Sequence, residues 1–381
     1  MQKRLHLLLA LFILTVNAAM AQITTSGISG KITSDGENVI GATVTATHQP
    51  SGTVYRAVTN IDGRYTIQGM RPGGPYKVDI SYIGYKDKVI KNLNLSLGET
   101  ENISCSLQED AHQLQEVVVS GKAGLAASRT GAATSMTAEQ INNMPSITHG
   151  IADVARLNPQ LTVTNSGNMS FAGVNNRYNN FMIDGAANND VFGLASSGNN
   201  GGQAGTQPVS METIEQIQVS VAPFDVRQSG FTGGAINAIT KSGTNQFHGS
   251  AYYYGYNQDL IGTKYPYLDG TGYAPKYQKQ TQYNMGVTLG GPIIKNKLFF
   301  FANYERTNKE YPNLYGVDSG NSKVNTEQAK DILTMLQNIA EKQGVNFNDY
   351  YSNQDIYTKS DKAGLKLDWN INEFNKFAIR W

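Results

Sequence analysis

The side chains that most often carry out covalent chemistry are sparse and scattered in this sequence. His48, His112, His149 and His248 lie far apart, and no His-Glu-x-x-His spacing puts two imidazoles within reach of one metal. No Gly-x-Ser-x-Gly nucleophile elbow occurs. What is dense is amide: Asn188, Asn189 and Asp190, then Asn199, Asn200 and Gln203, all in the glycine-rich stretch from Ala186 to Pro208. Such groups donate and accept hydrogen bonds, which suits a peptide or glycan ligand and equally suits a solvated loop. The glycines there lack the preceding strand and following helix that a phosphate-binding loop needs. A second constellation works through its main chain. In Glu116-Val117-Val118-Val119, three adjacent valines within a polar stretch favour an extended conformation that needs a partner edge, either a β-augmentation partner or the preceding domain's own sheet. Both features bind rather than catalyse, so no enzyme, cofactor or metal is expected.

The elements that position these residues begin after an export signal. Lys3 and Arg4 precede an almost wholly apolar run from Leu5 to Val16, and Ala19-Met20-Ala21 offers the small residues of a cleavage site before Gln22. Twelve residues of helix span only about 18 Å, too short for a hydrocarbon core of about 30 Å. Residues 1–21 are therefore expected to be a cleaved signal peptide rather than an anchor. No later stretch offers eighteen uninterrupted apolar residues, so membrane insertion of the mature chain would use strands. Without Lys3 and Arg4, the 31 basic residues become 29 against 30 acidic ones, which argues against a nucleic-acid partner. Cys105 stands alone, so no disulfide forms within the chain.

From Gly27 to about Leu107, short β-branched and aromatic segments are punctuated by Asp35-Gly36, Pro50-Ser51-Gly52, Asp62-Gly63, Pro72-Gly73-Gly74 and Leu97-Gly98, the pattern of a small β-sandwich. Gly30-Lys31-Ile32, the run from Ile40 to Val44, the run from Thr59 to Tyr65 and Ile83-Gly84-Tyr85 resemble a carboxypeptidase-regulatory-like domain. That resemblance implies a transthyretin-like sandwich over residues 22–108 and no peptidase activity. Residues 109–128 read as a linker holding the valine run.

Residues 129–245 are mixed. Thr137-Ala138-Glu139-Gln140 is a capping-box start for a short helix, and the apolar spacing from His149 to Leu157 predicts a second. Strands are expected at Ser170 to Gly173, Tyr178 to Asp184 and Gln216 to Val221.

Beyond Gln246 the chain turns aromatic, holding fifteen of its 21 tyrosines and both tryptophans. Tyr283, Met285, Val287 and Leu289 share one strand face and Gln282, Asn284, Gly286 and Thr288 the other. The same split recurs at Leu298, Phe300, Ala302 and Tyr304, at Ala363, Leu365, Leu367 and Trp369, and at Phe377, Ile379 and Trp381. Connections alternate long (Gln258 to Thr281), short (Gly290 to Lys297), very long (Thr307 to about Ser360, with an amphipathic helix over Thr326 to Lys342) and short (Asn370 to Asn375). A transmembrane β-barrel has short periplasmic turns and long outer loops of this kind.

The order of segments resembles a TonB-dependent outer-membrane receptor, specifically the Oar-like subgroup with an N-terminal extension. The residues that carry the resemblance are Asn188-Asn189-Asp190-Val191-Phe192-Gly193, Phe181-Met182-Ile183-Asp184-Gly185, the run from Gly233 to Asn245, His248-Gly249-Ser250-Ala251-Tyr252 and the run from Gly290 to Phe300. Phe171-Ala172-Gly173 departs from the Arg-Gly pair of many plugs. The resemblance implies a mainly β chain: signal peptide, sandwich, mixed α/β plug over 129–245, and about five strands of an antiparallel barrel over 246–381. It implies that Glu116, Val117, Val118 and Val119 form a TonB box, and that Gly233, Gly234, Lys241 and Asn245 mark the junction of plug and barrel. The expected partners are TonB with its inner-membrane energising complex, outer-membrane lipid, an extracellular ligand contacted by the amide loop, and a surface lipoprotein lid. The expected location is a Gram-negative outer membrane, with sandwich and plug on the periplasmic side or in the lumen. A surface-exposed binding or adhesion protein without active transport is the alternative. Plugged barrels of this kind use about 22 strands, so the barrel is expected to be completed beyond Trp381.

Overall fold

Period-two alternation broken by turn residues every few positions makes strands the dominant element. The computed structural model describes residues 23–109, 117–120, 132–144, 146, 149–164, 168–195, 197–221, 228, 231–260, 279–313, 324–345, 355–373 and 375–381. The expected signal peptide, with Ala19, Ala21 and Gln22, lies outside the described residues, as does Glu116. The chain divides into two compact units, residues 1–250 with 288–303 and 364–381, and residues 251–287 with 304–363.

In the first unit the N-terminal strands are β1 (Ser26–Ser34), β2 (Glu37–Asn38), β3 (Thr43–His48), β4 (Thr53–Val58), β5 (Arg64–Met70), β6 (Gly73–Ser81), β7 (Lys88–Leu95), β8 (Thr100–Asn102), β9 (Cys105–Ser106) and β10 (Val117–Ser120). They form two sheets. In one, β1 pairs with β2 and β5 and, in parallel, with β8 and β9; the other runs β10-β7-β6-β3-β4. Inward residues of both, among them Ile28, Ile32, Val44, Tyr76, Val78 and Leu95, make one core. Its polar groups are satisfied: the Tyr65 hydroxyl donates to the Ile103 carbonyl at 2.8 Å, the Tyr76 hydroxyl to the Arg71 carbonyl at 2.7 Å, and His48 Nδ1 lies 2.7 Å from Ser51 Oγ. Burial, reinforced by the Arg71 charge, pushes His48 down to about 3.

The next domain contains β11 (Ala132–Thr137), α1 (Ala138–Asn143), α2 (Ile151–Ala155), β12 (Leu161–Val163), β13 (Met169–Phe171), β14 (Asn180–Ile183), β15 (Ala186–Ala187), β16 (Ile214–Val221) and β17 (Gly234–Thr240). Its sheet runs β11-β16-β17-β14-β15, with β14 parallel to β17. The capping box forms as read: Thr137 Oγ1 accepts from the Gln140 amide and Gln140 Oε1 from the Thr137 amide. Helix α2 is shorter than the spacing from His149 to Leu157 predicted, because His149 adopts a left-handed backbone (φ 48°) and extended Gly150 forms the N-cap, so the helix starts only at Ile151. Ile217, Val219, Ile236 and Ala238 cover one sheet face and pack on Ile151, Val154 and Phe171. Phe171 takes the room a side chain at Gly234 would need, since a Cβ there would overlap its ring.

The last strands are β18 (His248–Asn257), β19 (Thr281–Ile294), β20 (Leu298–Tyr311), β21 (Ile356–Asn370) and β22 (Lys376–Arg380), with α3 (Thr326–Lys342) between β20 and β21. They form one sheet in sequence order. Met285, Val287 and Leu289 are exposed while Gly286, Thr288 and Gly290 are buried, so the expected two-faced strand is present. The expected turn from Gly290 to Lys297 is shorter, because β19 continues to Ile294 and only 295–297 turn. Glycine is required at both strand positions 290 and 291, because a Cβ at Gly290 would meet His248 and one at Gly291 would meet Phe247. In the second unit the buried Glu305 takes Lys362 at 2.6 Å and the Tyr252 hydroxyl at 2.9 Å, a satisfied polar cluster on the inward face.

Candidate functional site

Three places could serve recognition or gating. The first is the valine run. Val117, Val118 and Val119 lie in β10, whose backbone pairs in parallel with Lys88, Val89 and Ile90 of β7. The run has a partner edge, and that edge belongs to the sandwich. β10 ends its sheet, so among the described strands its outer edge is unpaired, the geometry to which another strand adds.

The second place is the amide loop. Asn189 Oδ1 accepts from the Phe181 amide at 2.7 Å, and Asn189 Nδ2 donates to Asn180 Oδ1 at 3.0 Å. The buried Asn199 accepts from Ser197 Oγ at 2.6 Å, and the Asn188 carbonyl accepts from the Asn200 amide at 3.3 Å. Asp190 accepts from the amides of Phe192 and Ala195, and these main-chain bonds, led by Ala195, hold its carboxyl below the usual range. The side chains of Asp190 and Asn199 are thus spent on the shape of the loop, and that of Asn189 on anchoring it to β14. Asn200 and Gln203 are exposed, as are the apolar Val191, Phe192 and Leu194 at the tip.

The third place is the turn after β14. Asp184 adopts a left-handed backbone (φ 47°) ahead of Gly185, which aims its carboxylate at the end of β17. There Oδ1 accepts from the Thr240 amide at 2.8 Å and Oδ2 from the Thr240 hydroxyl at 2.5 Å. Two cations from the last strands close on the same group: Lys366 Nζ of β21 at 3.6 Å from Oδ1 and Arg380 Nη1 of β22 at 3.1 Å from Oδ2. Lys366 also donates to the Thr240 carbonyl at 3.1 Å. Burial pushes the Asp184 carboxyl up, but Lys366, the two Thr240 bonds and Arg380 together outweigh it and hold the group below the usual carboxylate range.

The four residues expected at the junction are divided. Lys241 pairs with Glu212 at 3.8 Å, and Asn245 exchanges bonds with Asn296 of the β19–β20 turn at 2.7 and 2.8 Å. Gly233 and Gly234 lie at the other end of β17, against Asn179 and Phe171. The carboxylate that the last strands hold is Asp184, which the sequence marks only as part of a strand. An inward lysine at 366 on a strand with an apolar outer face was the available signal that an anion must stand opposite.

Residues 27–108 match the carboxypeptidase regulatory-like domain, 126–236 the TonB-dependent receptor plug domain, and 239–319 an outer membrane beta barrel domain. The chain thus carries the plug domain of TonB-dependent receptors followed by an outer membrane beta barrel domain. It is 29% identical over 273 residues to the TonB-dependent transporter Oar of Myxococcus xanthus, covering 68% of this chain and 24% of that protein. It is 25% identical over 188 residues to the probable TonB-dependent siderophore receptor PirA of Acinetobacter baumannii, covering 45% of this chain and 22% of PirA. The chain therefore spans about a quarter of the length of the curated relatives it matches. Among solved structures, PirA from Acinetobacter baumannii aligns with a TM-score of 0.41 and 20% identity, over 64% of this chain and 30% of that one. The transporter YddB from Escherichia coli aligns with a TM-score of 0.42 and 14% identity, over 63% and 31%. The Oar relative is named as a transporter.

Proposed function

We propose that the receptor moves a ligand, a peptide, glycan or similar molecule, across the outer membrane, and that TonB drives it by gripping residues 116–119 as a TonB box. An outer membrane holds no ATP and no proton gradient, so opening a plugged lumen needs work delivered from the inner membrane. The observation that carries this reading is β10, a short strand at the end of its sheet with an outer edge free for main-chain pairing. It precedes β11, the edge strand of the plug sheet, so tension on it arrives at a strand that peels without disturbing the centre of the sheet. The plug is fastened to the last strands through Asp184, a contact that mechanical work could break and that re-forms on release.

Val118→Pro removes one main-chain donor from β10. In the full-length receptor this substitution is expected to weaken binding to the periplasmic domain of TonB by about tenfold, the worth of one or two main-chain bonds. Unchanged binding, with the barrel still folded, would refute residues 116–119 as the grip.

A further inference from the structure

The plug sheet has a second face, and it is lined with amides. On alternate positions of β16 and β17 to the apolar residues stand Gln216, Gln218 and Asn237, all buried. What covers them is main chain of the sandwich. Gln216 Oε1 accepts from the Leu97 amide at 2.8 Å and its Nε2 donates to the Leu95 carbonyl at 3.0 Å. Gln218 Nε2 donates to the Leu97 carbonyl at 2.8 Å, and Asn237 Nδ2 to the Ile23 carbonyl at 2.6 Å. Leu95, Leu97 and Ile23 are themselves buried. The segment after β7 therefore lies on the plug like an added strand, with side-chain amides doing the work of a neighbouring backbone.

The sandwich makes a second contact beside the short turns of the last strands, where one main-chain bond from the Asn245 amide to the Pro50 carbonyl at 2.8 Å is joined by side-chain contacts more open to water. Arg56 meets Glu373 with both carboxylate oxygens at 2.8 Å, yet the two side chains remain 53% and 54% exposed. Asn370 Nδ2 donates to Thr53 Oγ1 at 2.9 Å, and Lys376 Nζ stands 3.4 Å from the centre of the Tyr55 ring. Ion pairs this open to water are weak and screened by salt, whereas buried amides that lose their partners have no water to replace them.

We propose that the sandwich is a fixed layer of the plug, fastened by Gln216, Gln218 and Asn237, and only lightly braced on the turns of the barrel strands. When the plug moves, the brace at Arg56 and Thr53 parts first and the sandwich travels with the plug. The periplasmic body that a pulling partner moves is then sandwich and plug together. This inference stands on the two contacts and does not depend on which residues TonB grips.

Hydrogen exchange read by mass spectrometry on the full-length receptor in detergent micelles tests it. Gln216→Leu combined with Gln218→Leu is expected to speed exchange of the peptide containing Leu97 by about tenfold or more while β3 and β6 stay protected. Arg56→Ala combined with Glu373→Ala should change it by less than about threefold. Asn237→Ala supplies a milder variant in which the Ile23 contact alone is lost. In rising urea, a Thr53→Cys, Asn370→Cys pair in a Cys105→Ser background should stop forming its disulfide before the Leu97 peptide loses protection. Unchanged exchange in both amide variants, an equal rise in the Arg56 and Glu373 variant, or the reverse order in urea would each overturn the proposal.

Discussion

Arg380 Nη1 stands 3.1 Å from Asp184 Oδ2, so a cation on the last strand holds a carboxylate at the tip of a plug turn. Lys366 reaches the other oxygen with only 11% of its side chain exposed. Breaking a buried pair by removing one partner costs about 3–5 kcal/mol, and because Arg380 can turn towards water the loss here is expected at about 2–3 kcal/mol. Asp184→Ala should therefore speed hydrogen exchange at the Thr240 amide by more than tenfold, about what 1.4 kcal/mol gives. Asp184→Asn keeps an acceptor for that amide and should fall between. Equal exchange in all three proteins would show that the contact contributes nothing.

The same carboxylate fixes a pH dependence. Its folded pKa lies below the usual value, so its stabilisation is complete above about 3.9 and is lost only as pH falls through the lower folded value. Protection of the Thr240 amide, corrected for intrinsic exchange, should be flat between about pH 5 and 7.5. A fall across that window would place the titration elsewhere.

His48 runs over a different range. Folded, it titrates near 3; unfolded, near 6.5, so between these values the unfolded chain binds the extra proton and stability falls as pH falls. The effect is on the order of a few kcal/mol at about 1.36 kcal/mol per unit. Urea unfolding of the sandwich followed by Tyr fluorescence should show a midpoint that drops from pH 7 to pH 4. His48→Gln should flatten the slope; a wild-type midpoint independent of pH would contradict the burial of a neutral imidazole.

Much of this was legible from local pattern. The outward face of Met285, Val287 and Leu289 follows from period two alone, and the capping box at Thr137 and Gln140 from two residue types three positions apart. What escaped depends on residues far away in sequence. Gly290 and Gly291 read as a turn because nothing local says that His248 and Phe247 approach their backbone. The strand from Gln216 to Val221 is legible, but the burial of Gln216 and Gln218 is not, because their partners lie about 120 residues earlier. Asp184 and Arg380 are 196 residues apart. The asparagines of the amide loop were visible by type, but composition does not say whether an amide faces a ligand, strand β14 as Asn189 does, or its own loop as Asn199 does.

Packing at Phe171 yields a further expectation. Gly234→Ala introduces a Cβ into the ring, and overpacking of this kind costs about 1–3 kcal/mol. The full-length receptor should melt at a lower temperature in detergent, and Phe171→Leu should restore part of the loss in the double variant. A double variant no better than Gly234→Ala would mean that the strain lies elsewhere.

The exposed face of β19 is the lipid side if the strand crosses the membrane. Val287→Lys puts a charge there at a cost of up to about 2–4 kcal/mol near the bilayer centre. Folding yield of the full-length receptor into lipid vesicles should fall severalfold. An unchanged yield would argue that Val287 never meets lipid.

The amide-lined face of the plug sheet also bears on how this protein should be handled. A hydropathy profile marks Gln216, Gln218 and Asn237 as harmless places for a fluorophore, an affinity tag or a humanising exchange of residues. They are interior positions, and a label there would pry two domains apart. A more tolerant site is Ile83, exposed on the sandwich and away from the barrel strands, although the same profile would warn against it.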